Sequence, residues 1–426
     1  DEFSIDCDLI NGHLAVAHKP SHVKDMWDHC EHLARFYDCD GYKPVTEEEV
    51  HEMMGVETYY GGYVDYLAGH KDWEVFALSA GVTFFVGGGM ALTSRTKGIK
   101  LSVRQAFFMT TTAWVFLAVF ASIPFHFTQL EMSFIDSLFE SMSGLTTTGS
   151  TVISGLDYQL PGILIWRALL QWLGGVGIIV MAISVLPMLK VGGMQLFRIE
   201  SSDQSSKALP RTTQIATSIL IIYAGLTLLC SFLYWVAGMT GFESIAHAMT
   251  TIATGGFSTS DRSIGGFNCA TIEYISVGGM ILGALPFILY LKTIQGDWKA
   301  LGRDSQVQSF IGILVFLVIF VSIWLWNSGQ YDFPLALRHA SVNIVSIITG
   351  TGYVTDDFGT WGAFSNPLFF LIMFIGGCAG STTCGIKIFR LQMLFLYLKN
   401  QIKKLVYPNS IFIVKYNDQK ISDNFI

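Results

Sequence analysis

The chain has 426 residues, of which 51% are hydrophobic and only 14% charged, with a formal net charge of −7 and a mean hydropathy of +0.47. That composition belongs to a membrane protein and argues against a freely soluble globular domain. Seven cysteines without a recognisable spacing imply no disulfide framework. No Walker motif, nucleophile constellation or dinucleotide fingerprint points to covalent chemistry, so the chain is not expected to be an enzyme.

Residues 1–60 read as a polar segment with no span, holding six of the ten histidines. His29, Cys30, His32 and Cys39 lie close together there, but their spacing matches no familiar zinc pattern, and a solvated helix is the simpler reading. A membrane-crossing helix takes about 20 apolar residues. Seven stretches qualify: 73–92, 106–127, 161–189, 213–239, 270–291, 310–326 and, with an interruption, 367–398. Because backbone groups in lipid must be satisfied within the segment, these are expected to be helices.

The connections differ in charge. Arg95, Lys97, Lys100 and Arg104 follow the first span, Lys190, Arg198, Lys207 and Arg211 the third, Lys292, Lys299 and Arg303 the fifth, and Lys399, Lys403 and Lys404 the seventh. The positive-inside rule puts all four groups in the cytoplasm. The opposite loops carry Glu131, Asp136, Glu140, Asp157, Glu243, Asp261, Asp332, Asp356 and Asp357, an acidic mouth that would concentrate cations.

Those outer loops share a pattern. Short half-polar helices at 134–145, 242–253 and 336–348 each run into a Thr/Gly turn, at 146–150, 253–257 and 350–353. The first is about 18 Å long at 1.5 Å per residue, too short to cross, and so re-enters from outside. The C-terminal end of such a helix carries roughly half a negative charge, which favours a dehydrated cation. Glycine then lets successive carbonyls turn toward the ion. The expected ligands are the carbonyl oxygens of Thr147, Thr148, Gly149, Thr254, Gly255, Thr351 and Gly352, with threonine hydroxyls as additions.

Small residues interrupt the last span at 376–385. Four glycines in ten positions, at about 1 kcal/mol each against alanine, predict an unwound segment. Close packing through small residues is the competing reading. Lys387, just beyond, is expected to anchor this segment or to limit ion passage, whereas Arg167 is expected to snorkel to the membrane surface. Gly pairs at 87–88 and 174–175 read as packing, and Trp324, Trp326 and Trp361 as interface belt residues.

SGLTTTGSTV at 143–152, TIATGGFST at 251–259, ITGTGY at 348–353, QWLGGVGIIV at 171–180 and GGCAGSTTCGIKIFR at 376–390 closely resemble the Trk/Ktr/HKT superfamily, most of all the bacterial Trk membrane subunit. The resemblance implies an all-α membrane protein of helix–pore-helix–helix repeats, three of an expected four, around a central ion pore. It maps filter glycines onto Gly149, Gly255 and Gly352, and an intramembrane gating loop onto Gly376, Gly377, Gly380, Ser381, Thr382 and Gly385, with Lys387 behind them. It also implies K⁺ uptake across the bacterial cytoplasmic (inner) membrane, a homodimer surrounded by membrane lipid, and a cytosolic nucleotide-binding regulatory subunit of the TrkA type. That subunit would dock on the basic stretches 198–211 and 399–404. No cofactor beyond the transported K⁺ and no nucleic-acid partner is expected.

On this reading the chain divides into a polar segment (1–60), a leading helix (61–104), repeats at 105–211, 212–304 and 305–405, and a tail (406–426) leading to a missing fourth repeat. The expectation is then of a fragment. An alternating-access carrier with broken helices, or a non-conducting remnant, are the alternatives.

Overall fold

A computed structural model describes residues 13–16, 23–24, 27–28, 42–46, 62–65, 72–94, 102–128, 130, 132–184, 208–407, 415–416 and 419–420. The chain forms two compact units, residues 1–90 and 91–426. In the first, strands β1 (His13–Val16), β2 (Tyr42–Val45) and β3 (Gly62–Asp65) pair antiparallel in the order β1-β3-β2, structure that the polar composition did not announce. Helix α1 (Asp72–Thr93) follows. His29, Cys30, His32 and Cys39 lie outside the described residues.

The second unit is helical. In chain order it comprises α2 (Val103–Ala121), α3 (Ile123–Phe127), α4 (Phe134–Leu145), α5 (Pro161–Ser184), α6 (Ala208–Val236), α7 (Gly241–Ile252), α8 (Ala270–Ala284), α9 (Phe287–Ile294), α10 (Ala300–Arg303), α11 (Ser305–Asn327), α12 (Phe333–Thr349), α13 (Ser365–Ile372) and α14 (Ile388–Val406). A two-stranded hairpin of β4 (Lys415–Tyr416) and β5 (Gln419–Lys420) ends the described chain. Across the described residues five stretches are long and apolar enough to cross a membrane: Trp73–Thr93, Phe108–Phe127, Pro161–Ile179, Gln214–Val236 and Ser305–Asn327. Their exposed side chains include Phe84, Phe85, Phe108, Leu228 and Phe316, an apolar surface suited to lipid.

One expected span is corrected. The stretch 270–291 is not one helix: α8 and α9 meet at a 90° bend. Pro286 has no N–H to continue the ladder, and it holds Leu285 in extended backbone (φ −85°, ψ 156°). The stretch 367–398 is interrupted as expected: it comprises the short α13, an irregular segment and the start of α14. The third short helix begins earlier than expected, at Phe333, with Asp332 at its N-cap and Pro334 in its first turn.

Short polar caps fix where the first two short helices begin. Ser133 accepts from Asp136 N at the start of α4, and at the start of α7 Thr240 and Glu243 form a reciprocal capping box. The core runs through α6, α7, α8, α11 and α12, with Tyr223, Tyr234, Met280, Phe310 and Leu325 buried in it. Gly174 and Gly175 pack as expected: a Cβ on Gly174 would overlap the Leu145 carbonyl, and one on Gly175 would lie 2.7 Å from the Tyr223 hydroxyl. At Gly87 and Gly88 a Cβ would meet nothing within 4 Å. Trp361 is not a belt residue. It is 1% exposed, and its indole donates to Asp356.

Candidate functional site

Helices α4, α7 and α12 end in the same way. Thr147, Thr254 and Gly350 adopt left-handed backbone (φ 54°, 51° and 71°), and the next amide reaches five residues back: Thr148 N to Ser143 O (2.9 Å), Gly255 N to Thr250 O (2.9 Å), Thr351 N to Ser346 O (2.8 Å). These are Schellman caps. Two of them place a threonine where L-residues pay about 1–2 kcal/mol, a strain that the surrounding packing holds in place.

Two residues beyond each left-handed position a glycine again has positive φ: Gly149 (81°), Gly256 (81°) and Gly352 (89°). By backbone conformation, then, Gly256 is the partner of Gly149 and Gly352, and Gly255 is the partner of Thr148 and Thr351. The three turns come together at these glycines. A Cβ on Gly149 would overlap the Gly255 carbonyl oxygen and lie 3.5 Å from that of Thr351, and one on Gly256 would overlap the Thr351 carbonyl oxygen. The hydroxyls of Thr148 and Thr351 are engaged with those of Thr146 and Thr349, at 2.7 Å in both turns. Thr254 Oγ1 donates to Ala253 O, while Thr147 Oγ1 is buried without a partner.

Behind each turn a buried polar side chain on the preceding helix fastens the outgoing strand. Glu140 accepts from Thr151 Oγ1 (2.9 Å) and Val152 N (3.0 Å), His247 Nε2 meets Ser258 Oγ (3.0 Å), and Asn343 Nδ2 donates to Thr355 Oγ1 (3.0 Å). Each lies seven residues before its left-handed position. The three residue types differ, so the sequence displays no motif here; only their common offset would have found them.

Arg167 is corrected outright. It does not reach the membrane surface: 1% exposed, its Nε donates to Glu140 (2.7 Å), its Nη1 donates to Ser258 O (3.1 Å), and its guanidinium carbon lies 4.1 Å from the centre of the Phe257 ring. A buried carboxylate needs such a partner. Several acids expected to form an open mouth are likewise in use as acceptors. Asp261 caps Leu156 N, Asp356 takes Tyr331 Oη and Trp361 Nε1 (both 2.6 Å), and Asp357 takes Gly359 N.

The interrupted segment lies against the underside of the second turn. Its amides and carbonyls satisfy groups freed by the α8/α9 break: Cys378 N donates to Ala284 O (3.0 Å), Phe287 N to Gly380 O (3.0 Å) and Thr382 N to Gly283 O (3.3 Å). Thr382 Oγ1 also lies 3.0 Å from Thr254 Oγ1 and 3.2 Å from Ile252 O. Gly380 and Gly385 have positive φ, and Gly376 and Gly377 allow the two arms to close, since a Cβ on either would collide with residues 383–385. Ser381 Oγ meets Thr383 Oγ1 at 2.8 Å, and Lys387 Nζ donates to the Thr383 carbonyl and hydroxyl. Cys230, Cys269, Cys378 and Cys384 are free thiols, and no group of three or more His, Cys, Asp or Glu that could hold a metal occurs among the described residues.

Comparison with known proteins gives this geometry its context. A family described as "TrkH: Cation transport protein" matches residues 74–426. The Trk system potassium uptake protein TrkI of Halomonas elongata is 42% identical over 328 residues, 76% of this chain and 66% of that protein. TrkH of Escherichia coli K12 is 36% identical over 353 residues, 81% of this chain and 73% of that one. The crystal structure of the potassium transporter TrkH from Vibrio parahaemolyticus superimposes with a TM-score of 0.75 at 34% identity, covering 81% of this chain and 72% of that one. The chain thus spans about two thirds to three quarters of the length of these relatives. A helical unit with several spans apolar and long enough to cross a membrane and a match over most of the sequence lead to one assignment: the chain belongs to the TrkH family of cation transport proteins.

Proposed function

We propose that this chain carries K⁺ into a bacterial cell across the cytoplasmic membrane, through a filter of backbone carbonyls with an intramembrane loop beneath it. The observation that carries the reading is the meeting of three Schellman-capped re-entrant helices, whose glycines Gly149 and Gly256 abut the carbonyls of Gly255 and Thr351. Helix C-termini aimed at one place supply negative potential, and carbonyls replace the hydration shell of an ion that sheds its water there. Carbonyls of Thr147, Thr148, Gly149, Thr254, Gly255, Thr351 and Gly352, together with Gly256, make up the chain's share of that filter. Gly376, Gly377, Gly380, Ser381, Thr382, Gly385 and Lys387 form the gate.

Relatives named as Trk system potassium uptake proteins support K⁺ as the ion. The name of that system also suits a regulatory subunit bound from the cytosol, for which Lys399, Lys403 and Lys404 on α14 offer a basic face; residues 198–207 of the other basic stretch lie outside the described residues. The test is K⁺-limited growth and rubidium uptake in a bacterium stripped of its own K⁺ uptake systems. Rescue by the wild-type chain that falls when Gly149 becomes Ser supports a filter. Saturable uptake whose K⁺/Na⁺ ratio ignores that change would favour an alternating-access carrier instead.

A further inference from the structure

One face of α5 reaches past its own turn and grips the next. Arg167 and Gln171 are four residues apart on that helix, so their side chains lie one above the other, and both are buried, at 1% and 0% exposed. The Gln171 amide bridges the second turn, with Nε2 donating to Gly255 O at 2.6 Å and Oε1 accepting from Phe257 N at 3.0 Å. One helical turn away, Arg167 holds Ser258 O through Nη1 and lies over the Phe257 ring. Its Nε meets the Glu140 carboxylate that binds Thr151 and Val152 of the first turn.

A second observation is independent of these bonds. Gly255 is not among the residues with positive φ, so its backbone does not demand glycine. A Cβ there would collide with the Gln171 amide. The glycine therefore makes room for Gln171.

We propose that Gln171 and Arg167 are positioning residues that set the ion preference of the second filter strand. The inference rests on the K⁺-filter reading above and deepens it. A carbonyl cage prefers K⁺ over the smaller Na⁺ only while its oxygens, or their number and orientation, are held against collapse onto the smaller ion. Gln171 fixes the Gly255 carbonyl from behind and ties the strand again two residues later. Arg167 ties it at Ser258 and, through Glu140, keeps the first and second strands in register. Neither side chain is required to touch the ion.

The test uses the full chain in the uptake-deficient bacterium, reading rubidium uptake against competing Na⁺. Gln171→Leu puts a shorter, apolar side chain in place of the amide and loses both bonds. Transport is expected to persist with the K⁺/Na⁺ preference lower by about tenfold, equivalent to about 1.4 kcal/mol, the scale of a lost hydrogen bond to a buried group. Arg167→Lys, which keeps the charge beside Glu140 but not the reach to Ser258, is expected to shift the preference in the same direction by less. Leu173→Ala, on the exposed side of the same helix, is expected to leave the ratio unchanged.

An unchanged ratio in Gln171→Leu, or a parallel fall in uptake of both ions, overturns the proposal. Should Gln171→Leu fail to fold, Gln171→Glu is read in the same way, because it preserves shape while replacing the donor to Gly255 by an acceptor. Should the wild type carry no K⁺ at all, the filter reading fails on its own. The brace is then read on purified protein as the difference between K⁺ and Na⁺ in raising the melting temperature: a difference that Gln171→Leu abolishes supports it, and the same difference in both proteins overturns it.

Discussion

Arg167 illustrates how much one buried charge decides. Its ion pair with Glu140 is almost fully enclosed, and the carboxylate also receives Thr151 and Val152, so each charge is hydrogen-bonded as well as paired. Removing one partner of such a pair typically costs about 3–5 kcal/mol, because the other charge is left buried. Arg167→Met is accordingly expected to lower the melting temperature sharply, and Arg167→Met combined with Glu140→Gln to recover much of the loss. Equal destabilisation in the single and the double variant would show that packing rather than charge is at stake.

In the loop after α12, Asp356 makes a smaller case that titrates. Partial burial alone would raise its carboxyl, but the bonds from Trp361 and Tyr331 outweigh burial and hold it below the ordinary value. Burial and the bond to Asp356 push the Tyr331 phenol up to about 12. A depressed carboxylate contributes stability above its unfolded value and loses it as pH falls through its folded one, whereas a raised phenol loses its contribution as pH rises toward 12. The tether from 331 to 361 is thus expected to hold from about pH 4 to about pH 10. Asp356→Asn should flatten the acid limb of a melting-temperature profile, and an unaltered limb would remove Asp356 from that role.

At the scale of elements, two breaks complete one another. The bend at Leu285–Pro286 frees groups on α8 and α9, and the irregular segment after α13 supplies their partners. Thr382 is the joint, since its hydroxyl meets Gly283 O, Ile252 O and Thr254 Oγ1. Thr382→Val keeps shape and removes those bonds. If the segment gates the path, basal rubidium uptake should rise a few-fold in this variant, on the scale of about 1 kcal/mol for a hydrogen bond; a fall or no change would assign the segment to packing.

The same elements show what the sequence could and could not disclose. Asp136, Glu140 and Ser143 in an apolar setting marked α4 as too polar and too short to span, and the structure has α4 at 134–145. The run of glycines at 376–385 marked an interruption because its cost is local. The α8/α9 bend stayed hidden because residues on both sides of Pro286 are apolar, and a hydropathy window averages across them. Gly255 and Gly256 are adjacent and chemically identical, so only backbone conformation separates their roles. Arg167 read as a residue bound for the surface because its partner is 27 residues away on another helix, and Gln171 drew no reading of its own because an amide inside an apolar helix carries no label for the strand it will hold.

Across the whole molecule, the three turns are not equivalent neighbours. Gly256 would drive a methyl group into the Thr351 carbonyl, and Gly149 would drive one into the Gly255 carbonyl, with Thr351 close behind. At Gly352 a Cβ meets nothing within 4 Å among the described residues. All three share a positive φ, so substitution by alanine carries a common backbone cost of about 1–2 kcal/mol. The collision is added only at the first two, and a backbone carbonyl cannot yield as a flexible side chain would. Gln171 already pins the Gly255 oxygen, so the strand next to Gly149 has little freedom to withdraw. The expected order of damage is therefore Gly256→Ala and Gly149→Ala well above Gly352→Ala, both in melting temperature and in the loss of K⁺ over Na⁺ preference. Three equal effects would mean that backbone conformation alone governs these glycines and that the turns do not brace one another. A reversed order, with Gly352 the most sensitive, would place the tightest part of the ion path on the side of the third turn that faces away from the other two.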